Sequence, residues 1–260
     1  MFTPSHLREL RGYRELILRL AWSDFKLRYK NSILGFFWTL LEPLLMLLVL
    51  YVVFSHLMRI QVEYYQLFLL LGIVLWNFLA RGTTMSIFGI IGKPSLVQKV
   101  YFPRDILIIS SCATALMMTL LEFVVFIAFM AIFRVAPSAA ILYFPLIFFI
   151  EFVIVLGLSL GLSALNVYFR DVQFIWQVIL QAGFFATPLL YPITIFPVNL
   201  QKIVMLNPMA RIISMLRDCT LYQTAPIFED MIYVTIWAMV ILLVGYLIFD
   251  RLEPRFAEEI

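Results

Sequence analysis

Long apolar runs recur along the chain, each near the length of a bilayer crossing. A helix needs about 20 mainly apolar residues to cross the hydrocarbon core. Six runs fit, at roughly 33–57, 66–88, 106–133, 141–167, 172–191 and 231–249. Ahead of them, residues 1–32 follow a different pattern. Leu7, Leu10, Tyr13, Ile17 and Leu20 fall three or four apart on one helical face, and Arg8, Arg11, Glu15 and Arg19 on another. That is a basic amphipathic helix suited to a membrane surface, and equally a positive flank that fixes topology.

One stretch breaks the pattern. Residues 188–208 are apolar but carry Pro188, Pro192, Pro197 and Pro208. Each interior proline removes a backbone donor and clashes with the preceding turn, so a single straight helix is not expected. Broken backbone at membrane depth is tolerated where protein buries it or where it lines a wet cavity. The expectation is a re-entrant helical hairpin over about 188–206, before the last span. The fold class is therefore an all-α polytopic membrane protein of six transmembrane helices, with residues 33–260 as one membrane domain.

Composition agrees. Hydrophobic residues make up 63% of the 260, charged residues 13%, and mean hydropathy is +0.99. Soluble domains carry about 25% charged residues. Residues 1–32 lack the short apolar core and small-residue cleavage site of a signal peptide. Cys112 and Cys219 have no metal-site spacing, and a disulfide is not expected. With the N-terminus inside, thirteen Lys and Arg fall on the inner side and five on the outer, with Arg81 within span two. That bias predicts a multi-pass protein of the cytoplasmic (inner) membrane with both termini cytoplasmic.

Several segments carry candidate chemistry. The inside loop 89–105, GIIGKPSLVQKVYFPRD, is too apolar for a free linker. Pro94 and Pro103 bracket a short helix there that would suit docking into a partner's groove. GIIGKP is not a P-loop, because Ile87 and Pro94 stand where that motif needs Gly and Ser or Thr. This chain is expected to hold no ATP site, cofactor or metal, and no catalytic residue is assigned. Tyr168, Phe169, Arg170 and Asp171 mark a tight turn between spans four and five. Inside the spans, Glu42, Glu122 and Glu151 are costly, and spans three and four offer Glu122 and Glu151 no obvious cation. They read as protonated packing residues or as pathway acids, and His6 and His56 take no role.

Aromatic residues reach 16%. Trp22, Trp38, Tyr64 and Tyr65 suit interface belts, while Phe36, Phe37, Phe174, Trp176, Phe184, Phe185 and Tyr191 recur where a path would run. Aromatic faces stack on the C–H surface of sugars, so as a group they fit a polysaccharide path. Beyond Asn207-Pro208, residues 209–222 form an amphipathic stretch expected on the outer surface. Arg211 and Arg217 there would attract phosphate or anchor a helix at the interface.

These segments together resemble the permease subunit of ABC-2-type polysaccharide exporters, the O-antigen, capsule and teichoic-acid transporters. The carriers are RYKNSILGFFWTLLEPL, SLVQKVYFPRDIL, NVYFRDVQ and TPLLYPITIFP with LNPMARII. The resemblance implies a homodimer joined to two copies of a P-loop ATPase subunit that binds ATP and Mg. It implies a coupling helix over about 94–100, made of Pro94, Ser95, Leu96, Val97, Gln98, Lys99 and Val100, with Arg104 beyond it. The implied substrate is a polysaccharide on a polyprenyl diphosphate lipid, with membrane lipids around the protein and no nucleic-acid partner. Rival readings are an exporter of a small hydrophobic compound, a proton-coupled transporter relying on Glu122 or Glu151, and a membrane glycosyltransferase.

Overall fold

The computed structural model describes residues 12–57, 62–99 and 102–259, and every regular element among them is helical. Helix α1 is Arg14–Arg28. Helix α2, Phe37–Tyr51, continues as a π-helical turn over Val52–Leu57. Helix α3 is Tyr65–Ile87, α4 Pro94–Lys99 and α5 Asp105–Ile132. A 3-10 turn at Ala139–Tyr143 leads into α6, Phe144–Tyr168, which is followed by α7, Val172–Ala186. Then come α8 (Val198–Val204), α9 (Pro208–Thr220), α10 (Phe228–Leu252) and α11 (Phe256–Glu259).

Five helices are long and apolar enough to cross a membrane, and Val172–Ala186 is a shorter sixth. The fifth apolar run was expected to reach residue 191, but its helix ends at Ala186. The cause is local. Thr187 precedes Pro188, whose ring disfavours helical backbone one residue earlier, and Thr187 is extended at φ −86° and ψ 141°. At about 1.5 Å per residue, 15 residues give roughly 22 Å, short of a hydrocarbon core of about 30 Å.

The excursion that follows is closed on itself. Asn207 caps α9 by accepting from the Met209 amide at 3.0 Å, with Pro208 at the first helical position. Its Nδ2 donates to Thr187 Oγ1 at 2.9 Å, joining the two ends of segment 187–207. Helix α9 was expected on the outer surface. Instead Met209, Ala210, Ile212, Ile213, Met215 and Leu216 are buried, and it packs on α3, α6 and α10.

Helix α3 forms the centre, with 83% of its apolar window buried, and packs on α2, α5, α6, α7 and α9. The most extensive pairing is α6 with α10. A Cβ on Gly157 would lie 2.6 Å from Leu242 Cα, and one on Gly245 would strike the Gly157 carbonyl. Gly157, Gly161 and Gly245 thus bring two backbones into direct contact, the usual route to tight packing where lipid competes with apolar side chains.

Lys93 Nζ donates to Asp24 at 2.6 Å, and the Arg104 amide donates to Glu253 Oε1 at 3.3 Å. These links place the described first and last segments at one end of the bundle, and segment 187–207 lies at the other. Leu7, Arg8, Leu10 and Arg11 of the expected N-terminal face, His6, Arg59 and Val100 lie outside the described residues, as do the side chains of His56, Val97 and Lys99.

Candidate functional site

Four places hold the candidate residues. At the Lys93 end, Pro94 starts the six-residue helix α4, and Pro94, Ser95 and Gln98 are exposed. Leu96 packs against a core formed by Ile90, Leu107, Tyr246, Phe249 and Phe256. Lys93 ties the front of α4 to α1 through Asp24. Behind it, Arg104 donates from Nη1 to the Glu253 carbonyl and stands 5.9 Å from the Phe256 ring. The Arg104 side chain is therefore committed to the C-terminal segment rather than extended toward a partner.

Between α1 and α2 opens a cleft of about 690 Å³, lined by Arg28, Tyr29, Trp38, Glu42 and Asn77 among others. Phe36 and Phe37 stack at 4.5 Å nearby, at the start of α2, and both are exposed.

In the apolar interior, the expected lack of a cation near Glu122 is corrected. Arg81 on α3 meets the wholly buried Glu122 of α5 at 2.5 Å and Glu42 of α2 at 3.3 Å. One arginine thus joins three helices. Leaving either Arg81 or Glu122 alone there would strand a charge away from water. Glu151 on α6 differs, being fully buried with no ion-pair partner among the described residues.

At the opposite end, Arg217 was expected to face the outside. It is buried, and its guanidinium donates to the carbonyls of Pro188 at 2.7 Å, Leu189 at 2.8 Å and Phe68 at 3.0 Å. It also lies 3.3 Å from the Phe68 ring, in space left open by Gly72. Broken backbone after α7 has carbonyls without helical partners, and Arg217 satisfies two of them. Tyr65 serves a third, donating to Leu190 O at 2.6 Å. Arg211 is likewise occupied by Asp230, by the Met205 carbonyl at 2.6 Å and by the Tyr233 ring. In this arrangement both guanidiniums are engaged mainly within the chain, with Arg217 Nε left without a partner among the described residues.

The fourth place is α7, which has no buried residue. Phe174 and Phe185 are exposed, at 59% and 57%. Trp176 departs from the expected path, since it turns toward α3 and donates from Nε1 to Thr83 Oγ1 at 2.8 Å. Phe184 sits edge-on to Trp76 at 6.2 Å. Tyr191 donates to the Phe185 carbonyl at 2.6 Å and packs edge-on to Phe196. Phe174 and Phe185 thus share an open face, Phe36 and Phe37 form a second exposed pair, and the others pack within the chain.

Residues 15–221 match the model of the ABC-2 type transporter membrane family. The chain belongs to that family. It is 30% identical over 248 residues to an O-antigen export system permease protein, RfbA, of Klebsiella pneumoniae, covering 94% of both chains. It is 31% identical over 260 residues to RfbA of Myxococcus xanthus, covering 98% of both. A more distant relative is the polysialic acid transport protein KpsM of Escherichia coli, 23% identical over 88% of this chain and 90% of that one. An ABC-2 permease is a multi-pass membrane subunit and typically not itself catalytic.

Sequence reading missed two groupings. Arg81 was visible as an intramembrane cation, but only packing shows that α3 brings it to Glu122. The glutamines of α7, Gln173, Gln177 and Gln181, recur every fourth residue, a signal present in the sequence and passed over.

Proposed function

We propose that the chain is the channel-forming subunit of an ATP-driven exporter of polysaccharide carried on a polyprenyl diphosphate lipid, of O-antigen, capsule or teichoic-acid type. The observation that carries this reading is the end-to-end match to O-antigen export permeases. On this reading two copies of the chain join two copies of a P-loop ATPase subunit, which binds ATP and Mg. The complex sits in the cytoplasmic (inner) membrane with both termini cytoplasmic. The distribution of Lys and Arg supports that orientation, as does the meeting of Asp24 and Glu253 with the α4 region at one end.

The packing supports one mechanism. Pro94–Lys99 would receive the ATPase, with Ser95 and Gln98 exposed on it. Helices α2 and α7, the most loosely held apolar elements, would move against the α3 centre. Their exposed aromatics would line the opened path. An exporter of a small hydrophobic compound would share the coupling parts, but its path would favour aliphatic lining over amides and rings.

Two measurements test this. Affinity purification from native membranes should capture a stoichiometric P-loop ATPase. Val97→Asp should abolish that capture together with export; if both persist, the coupling role of α4 is wrong.

A further inference from the structure

Helix α7 presents three faces. Trp176 and Gly183 turn to the bundle, where Trp176 binds Thr83 at 2.8 Å and a Cβ on Gly183 would meet the Trp76 ring at 2.8 Å. Ile175, Ile179, Ala182 and Ala186 form a second, aliphatic face, all exposed. The third carries Gln173, Gln177 and Gln181, one every fourth residue, beside Phe174 and Phe185. Gln177 and Gln181 are exposed, and none of these glutamines makes a hydrogen bond among the described residues.

An amide carries two N–H donors and an acceptor, and leaving these unpaired in hydrocarbon is costly. The aliphatic face is the one that suits lipid. A seam with a second copy of α7 would favour small residues that let backbones approach, and Ala182 and Ala186 lie on that aliphatic face too. The amide face instead sets hydrogen-bonding groups beside flat rings. Sugar chains present hydroxyls that both donate and accept, next to C–H surfaces that stack on aromatic rings.

The geometry points to Gln173, Gln177 and Gln181, with Phe174 and Phe185, as a water-facing track that contacts the hydroxyls of the passing glycan. This rests on the polysaccharide-export reading. The three glutamines span about 12 Å along the helix at 1.5 Å per residue. Exchange of one amide–hydroxyl pair for the next lets a polymer slide without a deep binding minimum.

The test uses the assembled transporter in membrane vesicles. Cys112 and Cys219 are buried, so a new cysteine would be the reactive thiol. With a small hydrophilic methanethiosulfonate, Q177C and Q181C should label while I175C and I179C should not. Labelling of the isoleucine positions alone, of all four or of none overturns a water-facing track; protection of Q177C and Q181C by a second copy falls under the last. In a second arm, Q177L/Q181L should cut polysaccharide export about tenfold, the scale of losing the net worth of a hydrogen bond or so. Co-purification of the ATPase should stay intact, and Q177N/Q181N should retain most export. Undiminished export by the leucine variant overturns the glycan contact even if labelling is as expected. Failure of the export reading shows separately, as a wild-type chain that captures no ATPase and moves no polysaccharide.

Discussion

Helices α3 and α7 are both apolar, yet 83% of the apolar window of α3 is buried and α7 has no buried residue. The difference shows that apolar composition says a helix belongs in a membrane, not what it faces there. Helix α3 is largely covered by its own chain, and its most buried polar groups find partners there: Arg81 with Glu122 and Glu42, and Ser86 with the Gly82 carbonyl. Helix α7 leans mainly on α3 and α6, and its glutamine amides have no hydrogen-bond partner among the described residues. One is a structural mast, and the other lies open along its length.

Substitutions should separate the two. The largest effect is expected at the α6–α10 seam, where Gly245→Leu drives a side chain into the Gly157 carbonyl. No folded, monodisperse protein should be recovered; recovery at wild-type yield would mean the helices can separate. Next, Arg217→Ala leaves the buried carbonyls of Pro188 and Leu189 unpaired, at about 1–3 kcal/mol each before relaxation, and removes a further bond to the helical Phe68 carbonyl. A drop in thermal midpoint together with faster proteolysis in 187–207 checks it, and Arg217→Lys should not rescue, because one ammonium lacks the planar fork.

Arg81→Ala should cost about 3–5 kcal/mol by stranding Glu122, and adding Glu122→Gln should recover much of it. A double-mutant cycle on thermal stability reads the coupling; simple additivity would break the pairing argument. Trp176→Phe removes one bond to Thr83 and should cost about 0.6 kcal/mol. Smallest of all, Ile175→Val on the aliphatic face of α7 should stay within about 0.5 kcal/mol. A large loss there would show that α7 is packed after all.

Local rules carried far in this chain. The break after α7 was legible because each residue preceding Pro188 or Pro208 is pushed out of the helix by its own neighbour. The helix at Pro94 was legible from its bracketing prolines. What needs partners from elsewhere was not. Nothing near Glu122 in sequence announces Arg81, and nothing near Arg217 announces that it turns inward to the Phe68 and Pro188 carbonyls. Trp176 and Phe174 look alike as path residues until α3 shows which side of α7 is covered. For α9, an amphipathic pattern suggested a surface position, whereas packing on α3, α6 and α10 buries much of it.

The Lys93–Asp24 and Arg104–Glu253 links have a mechanical consequence. A short lever gripped at both ends cannot tip freely, so if α4 receives the ATPase as proposed, a push on it would divide between two outlets. One runs through Asp24 into α1 and the flank of α5, where Thr114 holds the Ala21 carbonyl at 3.2 Å. The other runs through Glu253 into α10 and, across the glycine contact, into α6. Because these outlets load different sides of the rigid α3 centre, the stroke would reach the far end as torque rather than as a straight thrust.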